Sequence, residues 1–197
     1  MQASMKIYEG EGGASKALTR RGEKLNNLIF KGHGLDIGAG HDGIAKHGFS
    51  VREWDLADGD AQLLKTVPDN KYDFVHSSHC LEHMRNVGQA LENWIRVCKP
   101  GGYITIVIPD EELYERNHWP SKFNLDHKYS FRIYTEKNLH KKHINIVDMV
   151  KWVASSAEVI QIVRIEEGFD WNLPRNIDQT ADKAGPECSI EIILRKK

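Results

Sequence analysis

Residues Leu35 to Gly43 read L-D-I-G-A-G-H-D-G. An apolar strand that delivers a glycine turn to the start of a helix is how an open α/β sheet meets a ligand beyond the carboxyl ends of its strands. The glycines let the backbone come close, and the N–H groups ahead of the helix favour a carboxylate or phosphate. Gly38, Gly40 and Gly43 also satisfy G-x-G-x-x-G, a pattern that two different cofactor chemistries share.

The rest of the chain fits such a sheet. Residues 1–13 are Gly-rich and polar and read as a mobile arm. From Ala14 to Phe30, the apolar residues Ala17, Leu18, Leu25, Leu28 and Ile29 fall mostly on one helical face. Strand signals follow at Gly34–Ile37, Ser50–Trp54 and Tyr72–His76. Val87 to Cys98 has helical spacing, and Lys99-Pro100-Gly101-Gly102 stops it. Tyr103 to Ile108 is a β-branched apolar run, the mark of a strand buried on both faces. Residues 110–134 are polar and aromatic and read as an insertion that covers a site. A helix is expected from Glu136 to about Ala154, then strands at Val159–Glu166 and Ser189–Leu194. The 197 residues suit a single domain. The expected architecture is a Rossmann-like, doubly wound, mostly parallel sheet with an antiparallel edge strand and helices on both faces.

The acids near the glycines narrow the ligand. Asp36 precedes Gly38 by one residue's gap, where a carboxylate is an awkward neighbour for a pyrophosphate but can receive a cationic amino group. Asp55 closes the second strand, where an acid can accept both ribose hydroxyls. In Gly59-Asp60-Ala61, Asp60 could accept an adenine amino group and the Ala61 N–H could address a ring nitrogen. A nucleoside that carries an ammonium and a sulfonium suits so negative a site.

These residues resemble class I S-adenosylmethionine-dependent methyltransferases, in their small-molecule branch. L-D-I-G-A-G resembles the first motif of that family, Asp55 its ribose-binding acid and Gly59-Asp60-Ala61 its adenine-binding motif. Asp73 to His83, D-F-V-H-S-S-H-C-L-E-H, resembles its fourth-strand segment, and Val97 to Pro109 the turn and strand that follow. The resemblance covers residues 34–110. It implies S-adenosyl-L-methionine as cofactor, held by Asp36, Gly38, Ala39, Gly40, Asp55, Leu56, Asp60 and Ala61, with Ser77, Ser78 and His79 walling its methyl end. Asp55 and Asp60 stand so close together that the family's third strand must be very short or absent, and either acid could hold the ribose.

The chemistry beyond the cofactor is less determined. His79 to His83 reads H-x-x-E-H, the inverted zinc-peptidase pattern. It follows a strand directly rather than lying within a helix, so no metal is expected from it, and His83 reads as hydrogen-bonded to a neighbour. The catalytic candidates are His127, a general base beside Asp126, together with His79 and Asp110. His140-Lys141-Lys142-His143 reads as the solvated face of a helix.

A net charge of −1 and a pI near 6.8 advertise neither a nucleic-acid nor a membrane partner. Cys80, Cys98 and Cys188 form no C-x-x-C pair and fit reduced thiols in a cytoplasmic protein. The reading is methyl transfer to an oxygen or nitrogen atom of a small metabolite or glycan, by a monomer or homodimer. A non-catalytic cofactor-binding regulatory or scaffold domain is the alternative. A nicotinamide-dependent reductase is a third reading, which Asp36 and Gly59-Asp60-Ala61 oppose.

Overall fold

The computed structural model describes residues 13–137, 139–181 and 184–197. The arm expected at residues 1–13 lies outside them, except that Gly13 opens the first helix. The main sheet has six strands: β1 (Gly34–Ile37), β2 (Val51–Trp54), β3 (Tyr72–Ser78), β4 (Cys98–Pro109), β7 (Ala157–Ile165) and β8 (Ser189–Lys196). Their order is β2-β1-β3-β4-β8-β7. β1 to β4 are mutually parallel, and the antiparallel pairings lie at one edge, where β8 runs against both β4 and β7. Among the described residues no strand intervenes between β2 and β3 in the chain; turns and one short 3₁₀ segment, Leu56–Asp58, fill that stretch. Of the two outcomes expected from the closeness of Asp55 and Asp60, a very short third strand or none, the structure shows none there.

Among the described residues three α-helices accompany the sheet: α1 (Gly13–Ile29), α2 (Val87–Val97) and α3 (Ile146–Trp152). Alternation along the strands separates two cores. Phe74 and Ile193 face Ala14, Leu18 and Phe30 at α1. Their neighbours Val75 and Ile192 point the other way, into the larger core with Leu91 and Trp94 of α2 and Met149 of α3. Helices therefore cover both faces.

Two helical expectations are corrected. At Gly22 the backbone leaves helical geometry (φ 74°, ψ 164°). Beyond this break Ile29 stays in the core with Leu25 packed against it, but Leu28 is exposed and Asn26 is buried, donating its Nδ2 to the Leu18 carbonyl at 2.7 Å. The helix expected over 136–154 is mostly not one. His143–Asn145 is a short strand, β6, parallel to β5 (Ser130–Arg132), and only Ile146–Trp152 is helical. The Asn145 side chain takes the Thr135 N–H at 2.8 Å, a local bond that competes with helix. His143 is consequently buried, with Nδ1 2.9 Å from Glu111, rather than on a solvated helix face.

An ionic cluster ties α1 to the sheet. Glu191 of β8 has no exposed side-chain surface and meets both Arg20 and Arg21, while Arg20 also binds Glu187 at 2.8 Å.

Candidate active site

β1 is buried along its whole length and ends at Gly38. Gly38 has φ +72°, and a Cβ there would stand 2.7 Å from Sγ of Cys80. Glycine is thus required both by the turn and by the approach of the segment after β3. Gly40, with φ +52°, completes the turn.

Asp55 ties this turn to the end of β2. One carboxylate oxygen accepts the Gly40 N–H at 3.0 Å and the other the Leu56 N–H at 2.8 Å. Asp36, buried within β1, accepts the Ile44 N–H at 2.8 Å and meets Nδ1 of His76 at 2.8 Å. It fixes the loop while still lining a cleft. The Gly59–Gln62 loop is pinned by two tryptophans: Trp54 donates to the Gly59 carbonyl at 3.2 Å and Trp94 of α2 to the Ala61 carbonyl at 2.9 Å. Asp60 accepts the Gln62 N–H at 2.8 Å and pairs with Arg85. Burial pulls the Asp60 carboxyl upward, but Arg85 and the Gln62 N–H outweigh it and hold the group below its ordinary range.

Three clefts meet at the carboxyl end of the parallel strands. The largest, 720 Å³, is lined by Gly38, Gly40, Asp55, Leu56, Asp60 and Ala61 among others. Leu56 is 93% exposed there, an apolar side chain with nothing over it. A second, of 160 Å³, is lined by Asp36, Gly38, Ala39, Gly40, Ser78 and His79, with the start of α1 on its far side. Ser15 closes that side by donating its N–H to Asp42 at 2.9 Å. The Ser78 hydroxyl is buried and has no hydrogen-bond partner. The third, of 280 Å³, is lined by His79, Glu82, Tyr114, Asn124 and His127, and by Lys16. His79, in the left-handed conformation at φ +53°, borders all three.

The residues fit the cofactor that the sequence implies. The large cleft joins an open apolar surface to ribose-type acceptors at Asp55 and Asp60. The small one joins buried acidic charge at Asp36 to an unpartnered hydroxyl at Ser78, groups suited to an amino-acid end.

Two expected residues fall elsewhere. Ser77 is buried and donates to the Ile37 carbonyl at 3.0 Å, bridging β3 to β1, so it lines none of the three clefts. Asp110 is also enclosed. Its carboxylate caps a turn by accepting the Glu112 and Leu113 N–H groups at 2.9 and 3.0 Å, and burial raises it above its ordinary value. It lines none of the three clefts.

His127 does face the third cleft, but its partner is not Asp126. Nδ1 of His127 is 2.7 Å from Glu115, whereas Asp126 pairs with Nδ1 of His83 at 2.9 Å and with Lys128 at 3.1 Å. The residue that sequence reasoning set aside is Glu82, which is wholly buried with neither carboxylate oxygen hydrogen-bonded. Its Oε1 is 3.7 Å from His79 Nδ1 and 3.9 Å from Nε2 of both His83 and His127. Burial pulls the Glu82 carboxyl upward, but the surrounding histidines outweigh it and keep it below the ordinary value. The H-x-x-E-H spelling was the signal that these groups converge.

Among the described residues no helix is long and apolar enough to cross a membrane. In sequence, residues 10–148 match the family described as methyltransferase domain. No curated protein matches the chain in sequence. Solved structures resemble it in fold. An S-adenosylmethionine-dependent methyltransferase from Archaeoglobus fulgidus aligns with a TM-score of 0.58 at 20% identity, over 93% of this chain and 94% of its own. One from Mesorhizobium loti gives 0.58 at 13% identity, over 93% and 98%. The glycine turn, the acids beyond it and the family match agree: the chain belongs to the methyltransferase domain family and is an S-adenosyl-L-methionine-dependent methyltransferase.

Proposed function

We propose that the protein methylates an oxygen or nitrogen atom of a small metabolite or glycan, bound in the 280 Å³ cleft. The carrying observation is the make-up of that cleft: Tyr114 offers an aromatic face, Asn124 and Lys16 offer polar contacts, and Glu82, His79 and His127 form one ionisable wall. A hydroxylated or amino-substituted ring suits such a lining. Burial pushes the Tyr114 phenol above its ordinary value, so it serves as a neutral ring and hydroxyl.

When bound, the cofactor supplies an electrophilic methyl group on a positively charged sulfur. Gly38, Ala39 and Gly40 let the backbone approach it. Asp55 and Asp60 accept hydroxyl or amino donors, Leu56 covers an apolar ring, and Asp36 sets negative charge opposite an ammonium. Ser78 and His79 separate that compartment from the acceptor's. An acceptor lone pair would then bond to the methyl carbon and displace it from sulfur, whose bonding pair would stay on sulfur, and the acceptor's proton would pass to water or to a side chain of that ionisable wall. Holding the acceptor in line accounts for much of the acceleration such a displacement needs, and the wall around Glu82 receives the acceptor's polar atom. The segment 110–134 contributes Tyr114, Asn124 and His127 to the cleft, which supports its reading as a cover for substrate.

The test is transfer of a labelled methyl group from the cofactor into a pool of small hydroxylated and amino metabolites and oligosaccharides. Labelled product that is lost in His127→Ala, with S-adenosylhomocysteine binding retained, supports the reading. Cofactor binding without transfer to any member of the pool would instead favour a regulatory domain.

A further inference from the structure

We propose that Glu82, His83 and His127 form a binding site for one divalent first-row transition-metal ion, with its open coordination positions directed into the third cleft. The role in catalysis rests on reading that cleft as the acceptor site; the binding of the ion does not.

Three observations carry the site. The donor atoms of these residues all lie within 4.8 Å of one another. Nε2 of His83 and Nε2 of His127 both approach the same oxygen, Oε1 of Glu82, at 3.9 Å. That is too long for a hydrogen bond. It is only slightly more than the edge of a coordination shell with metal–ligand bonds of about 2.0–2.2 Å. Second, the Glu82 carboxylate is fully buried, with no hydrogen bond to either oxygen. A buried carboxylate left without a partner is strongly unfavourable, and a cation in the gap removes the deficit. Third, both imidazoles are held from behind by carboxylates. Nδ1 of His127 meets Glu115 at 2.7 Å and Nδ1 of His83 meets Asp126 at 2.9 Å. A carboxylate on the outward nitrogen fixes the ring so that Nε2 is the free ligand atom, which is the arrangement that supports metal-binding histidines.

Two histidines and one carboxylate leave positions for other ligands. His79 Nδ1, though 3.7 Å from the same Glu82 oxygen, stands outside this group of mutually close donors. The open positions face Tyr114 and Asn124, where an acceptor hydroxyl could bind. An acceptor oxygen held there would lose its proton to water more readily, because the ion stabilises the oxyanion. His127 then acts as a ligand, and no free imidazole base is needed.

A second cluster, Glu111, His140 and His143, also brings its donors within 4.8 Å. There His143 is 2.9 Å from Glu111 and the Arg132 guanidinium is 3.4 Å from it. Ser130 Oγ contacts both imidazoles. Oε2 of Glu111 has no hydrogen bond there either, but it already lies within ion-pair distance of His143 and of a resident guanidinium that repels a cation.

The experiment titrates purified chelator-treated protein with Co²⁺, Zn²⁺ and Mn²⁺, following calorimetric heat and the Co²⁺ visible spectrum, with S-adenosylhomocysteine binding as the folding control. One equivalent of Co²⁺ or Zn²⁺ should bind the wild type. Affinity should fall by more than the 10–100-fold typical of outer partners in Glu82→Gln and His127→Ala, and stay unchanged in His143→Ala. Should a variant fail to fold, the wild-type titration decides alone. Folded wild type that binds S-adenosylhomocysteine but none of the three ions overturns the proposal, as does binding lost in His143→Ala and kept in Glu82→Gln. Metal binding with no labelled product would leave the site standing and sink the acceptor reading.

Discussion

Nδ1 of His127 lies 2.7 Å from Oε1 of Glu115, a buried carboxylate twelve residues earlier in the chain, while the adjacent Asp126 is committed to His83. His127 is therefore oriented by a residue of its own inserted segment. Glu115→Ala should lower kcat about 10–100-fold and leave the S-adenosylhomocysteine Kd unchanged. Glu115→Gln should recover part of the loss, because it can still accept a hydrogen bond. Equal kcat in all three proteins would show that orientation of the ring does not matter.

Asp55 joins the glycine turn to the end of β2 and faces the large cleft. Asp55→Asn keeps the shape but loses the charge. Hydrogen bonds to charged groups contribute about 2 kcal/mol, or roughly 30-fold in Kd, and calorimetry with S-adenosylhomocysteine should read a weakening of that order. An unchanged Kd would move the ribose-binding role to Asp60.

Leu56 is 93% exposed and lines the same cleft. Leu56→Ser should leave the Tm of the free protein within experimental error, since nothing packs on the side chain. The Kd for S-adenosylhomocysteine should rise about fivefold, from loss of roughly 1 kcal/mol of apolar contact. A lowered Tm with unchanged affinity would make Leu56 a packing residue instead.

Glu191 binds Arg20 and Arg21 beneath α1. Burial alone would raise its carboxyl, but the two guanidiniums outweigh that and hold it below the ordinary value of 4.5. A carboxyl depressed in the folded state stabilises fully above its unfolded pKa and less as pH falls through the native one. Stability should therefore hold down to about pH 4.5 and drop below it. Glu191→Ala should cost about 3–5 kcal/mol at neutral pH, by stranding Arg21, and should flatten that acid limb. Urea melts between pH 3 and 7 would decide.

Cys80 borders the large cleft, yet burial, with Glu82 adding to it, pushes its thiol up to about 12. The thiolate is the reactive species. Iodoacetamide at neutral pH should leave Cys80 unmodified in the native protein and label it in denaturant. Rapid native labelling would mean that the segment after β3 opens readily.

Much of this was written locally in the chain. The glycine turn after β1, the helix from Val87 and the buried run of β4 each follow from residue types and spacing within a dozen positions. That Gly38, Asp55 and Asp60 would gather at one cleft was legible for the same reason, since the first two follow strand ends in the sequence and the third lies five residues on. What escaped depends on partners far away. Ser77 and Ser78 are adjacent, but only the pleat decides which of them bridges to Ile37 and which faces a cleft. Asp110 reads as a reactive acid until its two backbone donors are seen. The helix expected over 136–154 gave way because β6 found β5 and Asn145 bound Thr135. His127 has an acid beside it in sequence, and the fold turned the two apart.

His79 borders all three clefts from a single left-handed backbone position. On the proposed reading of the clefts, a change of side chain there alters grip on the nucleoside and on the methylated molecule at once, which places that position poorly for divergence. Tyr114, Asn124 and Thr180 line the third cleft but neither of the others. If the third cleft holds the acceptor, as proposed, descendants of this chain can swap one recipient for another through those three residues, leaving the nucleoside's seat untouched.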